Sequence, residues 1–345
     1  MQTDPFNKNE LKVAVIGGGT GSFTLLSALK FKTSQLVALV NMADDGGSTG
    51  VLRDELGVLP PGDVRQCLVA MSNTPELRDL FNYRFTEGSL KGHAFGNLFL
   101  TALEKMKGNF ADGIEFAGQL LNITGSVEPV TLSDVILKMR GPDGNIVEGE
   151  YNIGYSVFNN GDGKPEFWLD PEPETNPRAI ATINQADLVI IAPGNLYGSL
   201  APALIVPGIT KALKTTKALK VYVCNLVTKP GQTDNFMVHD FANEINRLCG
   251  GEVLDAVLFN TETPSKKLLK KYAKDGEMSV EYDEDILNNS SYLAVGAPLI
   301  SGVVWQNKNA KSDPLASDRT LIRHDPQAVA DALFDLYDYA KDAAD

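Results

Sequence analysis

The apolar run Val13-Ala14-Val15-Ile16 stops at Gly17-Gly18-Gly19-Thr20-Gly21-Ser22. Apolar residues then recur at helical spacing at Phe23, Leu25, Leu26 and Leu29. That order predicts strand, tight turn, helix. Such a turn aims backbone N–H groups outward at a helix N-terminus, where the dipole favours negative charge, so its natural guest is a phosphate. Four glycines between residues 17 and 21 carry an entropic cost unless the backbone must approach something closely. The alternative is that they serve only the packing of strand against helix. The loop matches neither standard phosphate motif: Ser22 stands where a dinucleotide fingerprint has its third glycine, and no lysine follows Gly21 as in a Walker loop.

Gln35 to Val40 reads as a second buried strand, ending in Asn41-Met42-Ala43-Asp44-Asp45-Gly46-Gly47-Ser48-Thr49-Gly50. A dinucleotide enzyme holds ribose with an acidic residue at this strand tip; here the tip is Asn41 and the acids follow later, which counts against a nicotinamide-dependent oxidoreductase. The carboxylates, hydroxyls and glycines of 41–50 read as a ligand-binding loop, able to hold a metal or hydroxyl groups, with a plain Asp-Gly turn as the alternative. Pro60-Pro61-Gly62-Asp63 opens a helix in which Asp63 is the expected cap. Arg65 would then lie in the first turn, where a cation opposes the dipole and serves either a ligand or a salt bridge. His93, in Gly92-His93-Ala94-Phe95-Gly96-Asn97, precedes an apolar helix at 98–106 and reads as a phosphate or ribose contact or as a surface capping group.

Helices are expected at 75–85 and 111–121. A strand at 130–139, a turn at Gly141 to Asn145 and a return strand at 146–150 predict a β-hairpin. An irregular segment follows at 159–176. Residues 126–176 thus read as a cap inserted into one domain spanning 1–345. Beyond it the chain alternates: helix 178–185, strand 186–192, helix from about 200, strand 219–225, helix 237–248, strand 253–260, a basic helix at 265–274 and a last helix at 326–339. This alternation predicts a Rossmann-like, doubly wound, mostly parallel α/β sheet. Pro193-Gly194-Asn195-Leu196-Tyr197-Gly198-Ser199 is a second glycine loop at a strand's C-terminal end, where open α/β sheets bind ligands.

The formal net charge of −13 argues against a nucleic-acid surface. Cys67, Cys224 and Cys249 form no C-x-x-C pair, so neither zinc nor a redox pair is expected, and their sparseness suits a reducing cytoplasm. Residues 1–12 are polar and no apolar run reaches about 18 residues, so neither a signal peptide nor a membrane span is expected. No nucleophile elbow and no histidine cluster is present.

Seven blocks in order resemble the CofD-like family, and within it the YvcK branch of bacterial gluconeogenesis factors. They are Gly-Gly-Gly-Thr-Gly at 17–21, Ala-Asp-Asp-Gly-Gly-Ser at 43–48, Pro-Pro-Gly-Asp-Val-Arg at 60–65, Leu-Phe-Asn-Tyr-Arg-Phe at 80–85, Gly-His-Ala-Phe-Gly-Asn-Leu at 92–98, Pro-Gly-Asn-Leu-Tyr at 193–197 and Arg-His-Asp at 323–325. The resemblance implies a ligand that is a uridine diphosphate sugar, such as UDP-N-acetylglucosamine, with a regulatory role in carbon metabolism and cell shape. The wider family implies an alternative, a magnesium-dependent transferase resembling 2-phospho-L-lactate transferase and acting on a nucleoside diphosphate donor. Carried onto this chain, Gly18, Gly19, Thr20 and Gly21 would cradle phosphate, and Asn41, Asp44 and Asp45 would face the ligand, with Asp44 and Asp45 as the candidate magnesium ligands. Gly46, Gly47 and Ser48 extend that loop. Asp63, Arg65, His93 and Asn97 complete one half of the expected site. Gly194, Asn195 and Ser199 would contact the ligand from the other half, and Arg323 would neutralise diphosphate. By analogy the chain is expected to be a homodimer.

Overall fold

The computed structural model describes residues 10–158, 163–266, 269–270, 273, 276–301 and 322–343. The first half runs β1 (Val13–Ile16), α1 (Gly19–Leu29), β2 (Leu36–Val40), α2 (Gly47–Leu56), α3 (Pro61–Met71), α4 (Pro75–Asn82), α5 (Phe95–Lys107), α6 (Phe110–Leu120) and β3 (Ser126–Pro129). An insert follows: β4 (Ile136–Arg140), β5 (Ile146–Glu148), α7 (Glu150–Tyr155) and β6 (Glu166–Asp170). The second half runs α8 (Pro177–Gln185), β7 (Leu188–Ile191), α9 (Ala201–Leu204), α10 (Pro207–Thr215), β8 (Leu219–Val223), α11 (Val238–Leu248), β9 (Ala256–Asn260), α12 (Glu284–Asn288), β10 (Leu293–Ala297) and α13 (Pro326–Asp342).

Every residue of β1 and β7 is buried, as strands covered on both faces require. The sheet order is β10-β9-β8-β7-β1-β2-β3, with all of these pairs parallel. Alternate residues feed two cores. Val13, Val15, Ala38, Val40, Leu188 and Ile190 pack on the face carrying α1, α3 and α13. Ala14, Ile16, Leu39, Val189 and Ile191 pack on the other, with α8, α10 and α11. The chain lays β2 and β3 to one side of β1, then returns to lay β7 to β10 on the other. The C-terminal ends of β1 and β7 therefore diverge, and the first glycine loop stands beside the second. Among the described residues no single helix is long and apolar enough to cross a membrane.

The doubly wound parallel sheet is as the alternation predicted, with several local differences. The stretch 41–50 is not all loop: α2 begins at Gly47, and burial of Thr49, Gly50 and Leu52 outweighs the weak helix propensity of Gly, Ser and Thr. The 130–139 strand is shorter, because only 136–140 alternates in burial as β4, and residues 126–129 form β3 on the main sheet instead. The 159–176 segment contains β6, which pairs antiparallel with β4 across from β5. Neither α12 nor β10 is among the expected elements; β10 is an edge strand, only partly buried, whose apolar run Leu293-Ala294-Val295 is cut by Gly296. The basic helix at 265–274 lies partly outside the described residues.

Candidate functional site

Between the diverging ends of β1 and β7 lies a cleft of about 420 Å³. Its floor is the N-terminus of α1. Gly18 is the N-cap and offers no side chain, so the first-turn N–H groups are left to another acceptor. One acceptor is internal: Gly19 N–H donates to Asp63 Oδ1 at 2.9 Å. Asp63 was expected to cap its own helix. Pro60 holds that position instead, and Asp63, in the first turn of α3, reaches across to α1. The Asp63 carboxylate satisfies part of this helix end, so an external anion would share the α1 N-terminus with it. Two glycines are required sterically. A Cβ on Gly18 would strike the Asp63 carboxylate, and one on Gly21 would strike the carbonyl oxygen of Pro193.

The walls come from the second half. Gly194, Asn195 and Ser199 line the cleft from the β7 loop. Asn225 fastens that loop to the end of β8: its Nδ2 donates to the Gly194 carbonyl at 2.7 Å, and its Oδ1 accepts from Gly194 N–H at 3.2 Å. Lys229 and Arg323 supply positive charge to the lining. The Arg-His-Asp block divides its labour. Arg323 faces the cleft, and Asp325 caps α13 by accepting from Ala328 N–H at 2.9 Å. His324 also borders the cleft, but its ring is buried, which pushes its imidazole down to about 4, and its Nε2 has no hydrogen-bond partner among the described residues.

The roof is α7 of the insert, which brings Glu150, Tyr151, Gly154 and Tyr155 to the cleft. Asp44 also lines it, accepting from Gly46 N–H at 3.0 Å. Burial raises the Asp44 carboxyl above the usual carboxylate range, although the Gly46 bond opposes this. Glu150 is raised further: burial comes first, then the charges of Asp44, Asp63 and Asp45, with Lys229 opposing. The lining therefore holds an anion-attracting floor, two cations and a cluster of carboxyl groups with high proton affinity.

Gly18, Gly19, Thr20, Gly21, Asp44, Gly46, Asp63, Gly194, Asn195, Ser199 and Arg323 thus share one cleft. The remaining expected residues do not line it. Asn41 is buried, and its Oδ1 accepts from Ala43 N–H at 2.9 Å, shaping the turn after β2. Asp45 turns to the insert, where Oδ1 accepts from Tyr151 N–H at 2.7 Å. Gly47 is exposed at the start of α2. Ser48, His93, Asn97 and Arg65 form a separate network on the α2, α3 and α5 side. Ser48 Oγ and His93 Nδ1 are 2.9 Å apart, and Asn97 Nδ2 donates to Ser48 Oγ at 3.3 Å. Arg65 Nε donates to Asn97 Oδ1 at 2.9 Å and its Nη1 to Asn82 Oδ1 at 2.6 Å. Arg65 lies in the second turn of α3, one turn later than expected, and is buried.

Oxygen donors suit magnesium, but the pair Asp44 and Asp45 is split, with Asp45 committed to the insert backbone. Asp63 is likewise committed to Gly19. Among the described residues no three His, Cys, Asp or Glu side chains are grouped to hold a metal ion. The residues present do not fit a resident magnesium ion.

Sequence reasoning assigned no role to Lys229, Asn225, Glu150, Tyr151 or Tyr155. The first two had a signal, because both follow β8 at the C-terminal end of a parallel strand, where ligands bind. The other three had none, because their helix is six residues long and reaches the cleft only through the insert.

Residues 13–300 match the family described as 2-phospho-L-lactate transferase CofD. A Clostridium acetobutylicum protein named "Putative gluconeogenesis factor" is 41% identical over 327 residues, covering 93% of this chain and 68% of its own. The Bacillus subtilis protein named "Gluconeogenesis factor" is 37% identical over 328 residues, 94% of this chain and 98% of its own. A crystal structure of a UPF0052-family protein from Bacillus halodurans superposes with a TM-score of 0.84 at 36% identity, covering 94% of this chain and 99% of that one.

Proposed function

The chain belongs to the CofD family, and on that premise we propose that its cleft binds a nucleoside diphosphate sugar, of the UDP-N-acetylglucosamine type, as a cytoplasmic regulator of carbon metabolism and cell shape. One observation carries this reading. The N-terminus of α1, where Asp63 takes the Gly19 N–H, meets Lys229 and Arg323 in a single cleft at the switch point of the sheet. Backbone N–H groups and two cations suit a diphosphate, and Asn195 and Ser199 suit sugar hydroxyls. Among the described residues no side chain is set up as an activated nucleophile. Cys67, Cys224 and Cys249 are all buried, and burial pushes each thiol up.

The family's description favours a second reading, a transferase on a nucleoside diphosphate donor. Glu150 and Asp44 would then accept the proton of an attacking hydroxyl, for which a raised carboxyl suits neutral pH.

Thermal unfolding with UDP-N-acetylglucosamine, UDP-glucose, GDP, GTP and NAD, each with and without Mg²⁺, separates the two. A ligand at about 100 times its Kd adds about 2.7 kcal/mol, a rise of a few degrees for a chain of this size. A metal-independent rise with UDP-sugars is the expected result. A metal-dependent rise with guanine nucleotides alone replaces binding with transfer, and no rise with any of them overturns both readings.

A further inference from the structure

We propose that Tyr151 and Tyr155 on α7 form the platform on which the nucleobase of the bound nucleotide stacks. The two rings lie 4.8 Å apart between centroids, tilted 50° to one another. Both line the cleft, yet they remain 45% and 56% exposed. They are therefore exposed aromatic area in a site whose other lining is mostly glycine, hydroxyl, amide and charged residues. A planar base covers one ring face and meets the other ring edge-on, a geometry that aromatic pairs favour.

Charge decides which end of the nucleotide belongs there. The N–H of Tyr151 is held by the Asp45 carboxylate, which disfavours a phosphate beside that ring. Arg323 and the N-terminus of α1 draw the diphosphate to the floor, and Lys229, with its Nζ 5.9 Å from the Tyr155 ring centroid, stands on the tyrosine side of it. The base is the neutral, N–H-bearing end of the ligand, and it is the part that a carboxylate-flanked aromatic surface accepts.

The platform is mounted before any ligand arrives. The Tyr151 ring faces Gly46 across a space that an added Cβ would just fill. Gln232, buried in the loop after β8, donates from Nε2 to the Ile153 carbonyl at 2.7 Å and to the Ser156 carbonyl at 3.0 Å. Phe158 N–H donates to the Gly231 carbonyl at 2.8 Å. Residues from the far side of the sheet thereby hold α7 in place, and Gln232 is a positioning residue for the rings. A preset platform binds with less ordering cost than a mobile one.

This inference rests on the nucleotide reading of the cleft. The test is titration calorimetry of the full chain with UDP, pyrophosphate and N-acetylglucosamine 1-phosphate, in wild type, Tyr155→Ala, the double variant Tyr151→Ala/Tyr155→Ala and Tyr155→Phe. Stacking of a base on an aromatic side chain predicts a UDP affinity about 5- to 150-fold weaker in the double variant. Pyrophosphate and the sugar phosphate should keep their affinity, and Tyr155→Phe should bind UDP as wild type does. Unchanged UDP affinity in both alanine variants overturns the proposal. So does a loss shared equally with pyrophosphate, or one confined to the sugar phosphate. Failure of wild type to bind UDP or pyrophosphate overturns the nucleotide reading itself, and it is seen before any variant is made. Both rings are half-exposed, and the single variant removes only one, so it preserves the test if the double variant does not fold.

Discussion

The floor and the roof of the cleft are built in opposite ways. The floor is one continuous stretch, 17–21, whose shape follows from its own glycines and from the strand and helix on either side. The roof is a six-residue helix, α7, with little structure of its own. It is held by Asp45 from the β2 loop and by Gln232 from the β8 loop. A floor made by close backbone approach cannot accept added atoms. A roof made by side-chain bonds between distant segments tolerates substitution and is tuned by charge.

Gly21→Ala should show the largest effect. Its Cβ would meet the Pro193 carbonyl oxygen, a backbone atom that cannot swing aside. Overpacking of this kind costs about 3 kcal/mol, which chemical denaturation would register. A variant as stable as wild type would dissolve the distinction between floor and roof. Next comes Arg65→Met, behind the floor. It leaves the Asn82 and Asn97 amides short of a donor, and buried unpaired groups cost roughly 1–3 kcal/mol. Affinity for UDP-N-acetylglucosamine should stay unchanged, because Arg65 does not line the cleft; a lost affinity with full stability would return Arg65 to the site.

Two smaller effects depend on pH. His324 is depressed from 6.5 to about 4, because burial favours the neutral ring. The folded protein therefore loses stability as pH falls from about 6.5 toward 4. His324→Gln should flatten that part of the melting-temperature profile; an unchanged acid limb would mean that other groups govern it. Glu150 is shifted in the opposite sense. A raised folded-state carboxyl contributes stability that is complete below its unfolded value, about 4.3, and lost as pH rises through the folded value. Glu150→Gln should therefore melt above wild type at neutral and higher pH, with the gap closing below about pH 4. If Glu150→Gln melts lower at pH 8, the carboxylate is held by partners and the roof is not under charge strain.

Legibility followed the same division. The glycine loops after β1 and β7 were readable because strand, turn and helix are neighbours in sequence. The rule that open α/β sheets bind ligands at strand C-termini then brought 17–21, Asp44 and 193–199 to one place. The Arg-His-Asp block stands out in the sequence, but its division into a cleft cation, a buried ring and a helix cap depends on how α13 docks. Asp63 read as a local cap and proved to bridge two helices. Ser48, His93, Asn97 and Arg65 read as ligand contacts and proved to bond one another. In each case a polar residue near a turn has several partners within reach, and sequence spacing cannot choose among them. Helix α2 was hidden because glycine and hydroxyl residues mask a helix that burial stabilises.

Periodic burial is a property of neighbouring residues, so the sequence by itself determined the parallel sheet, its helical layers and the glycine loops at its switch point. The tertiary structure alone decided which carboxylates face the cleft and which are spent on backbone N–H groups, and it alone brought Glu150, Tyr151 and Tyr155 over the floor. Those choices are made by contacts between segments roughly a hundred residues apart, such as Asp45 with Tyr151. Such contacts depend on where the sheet sets its loops, and the residues themselves leave no periodic trace.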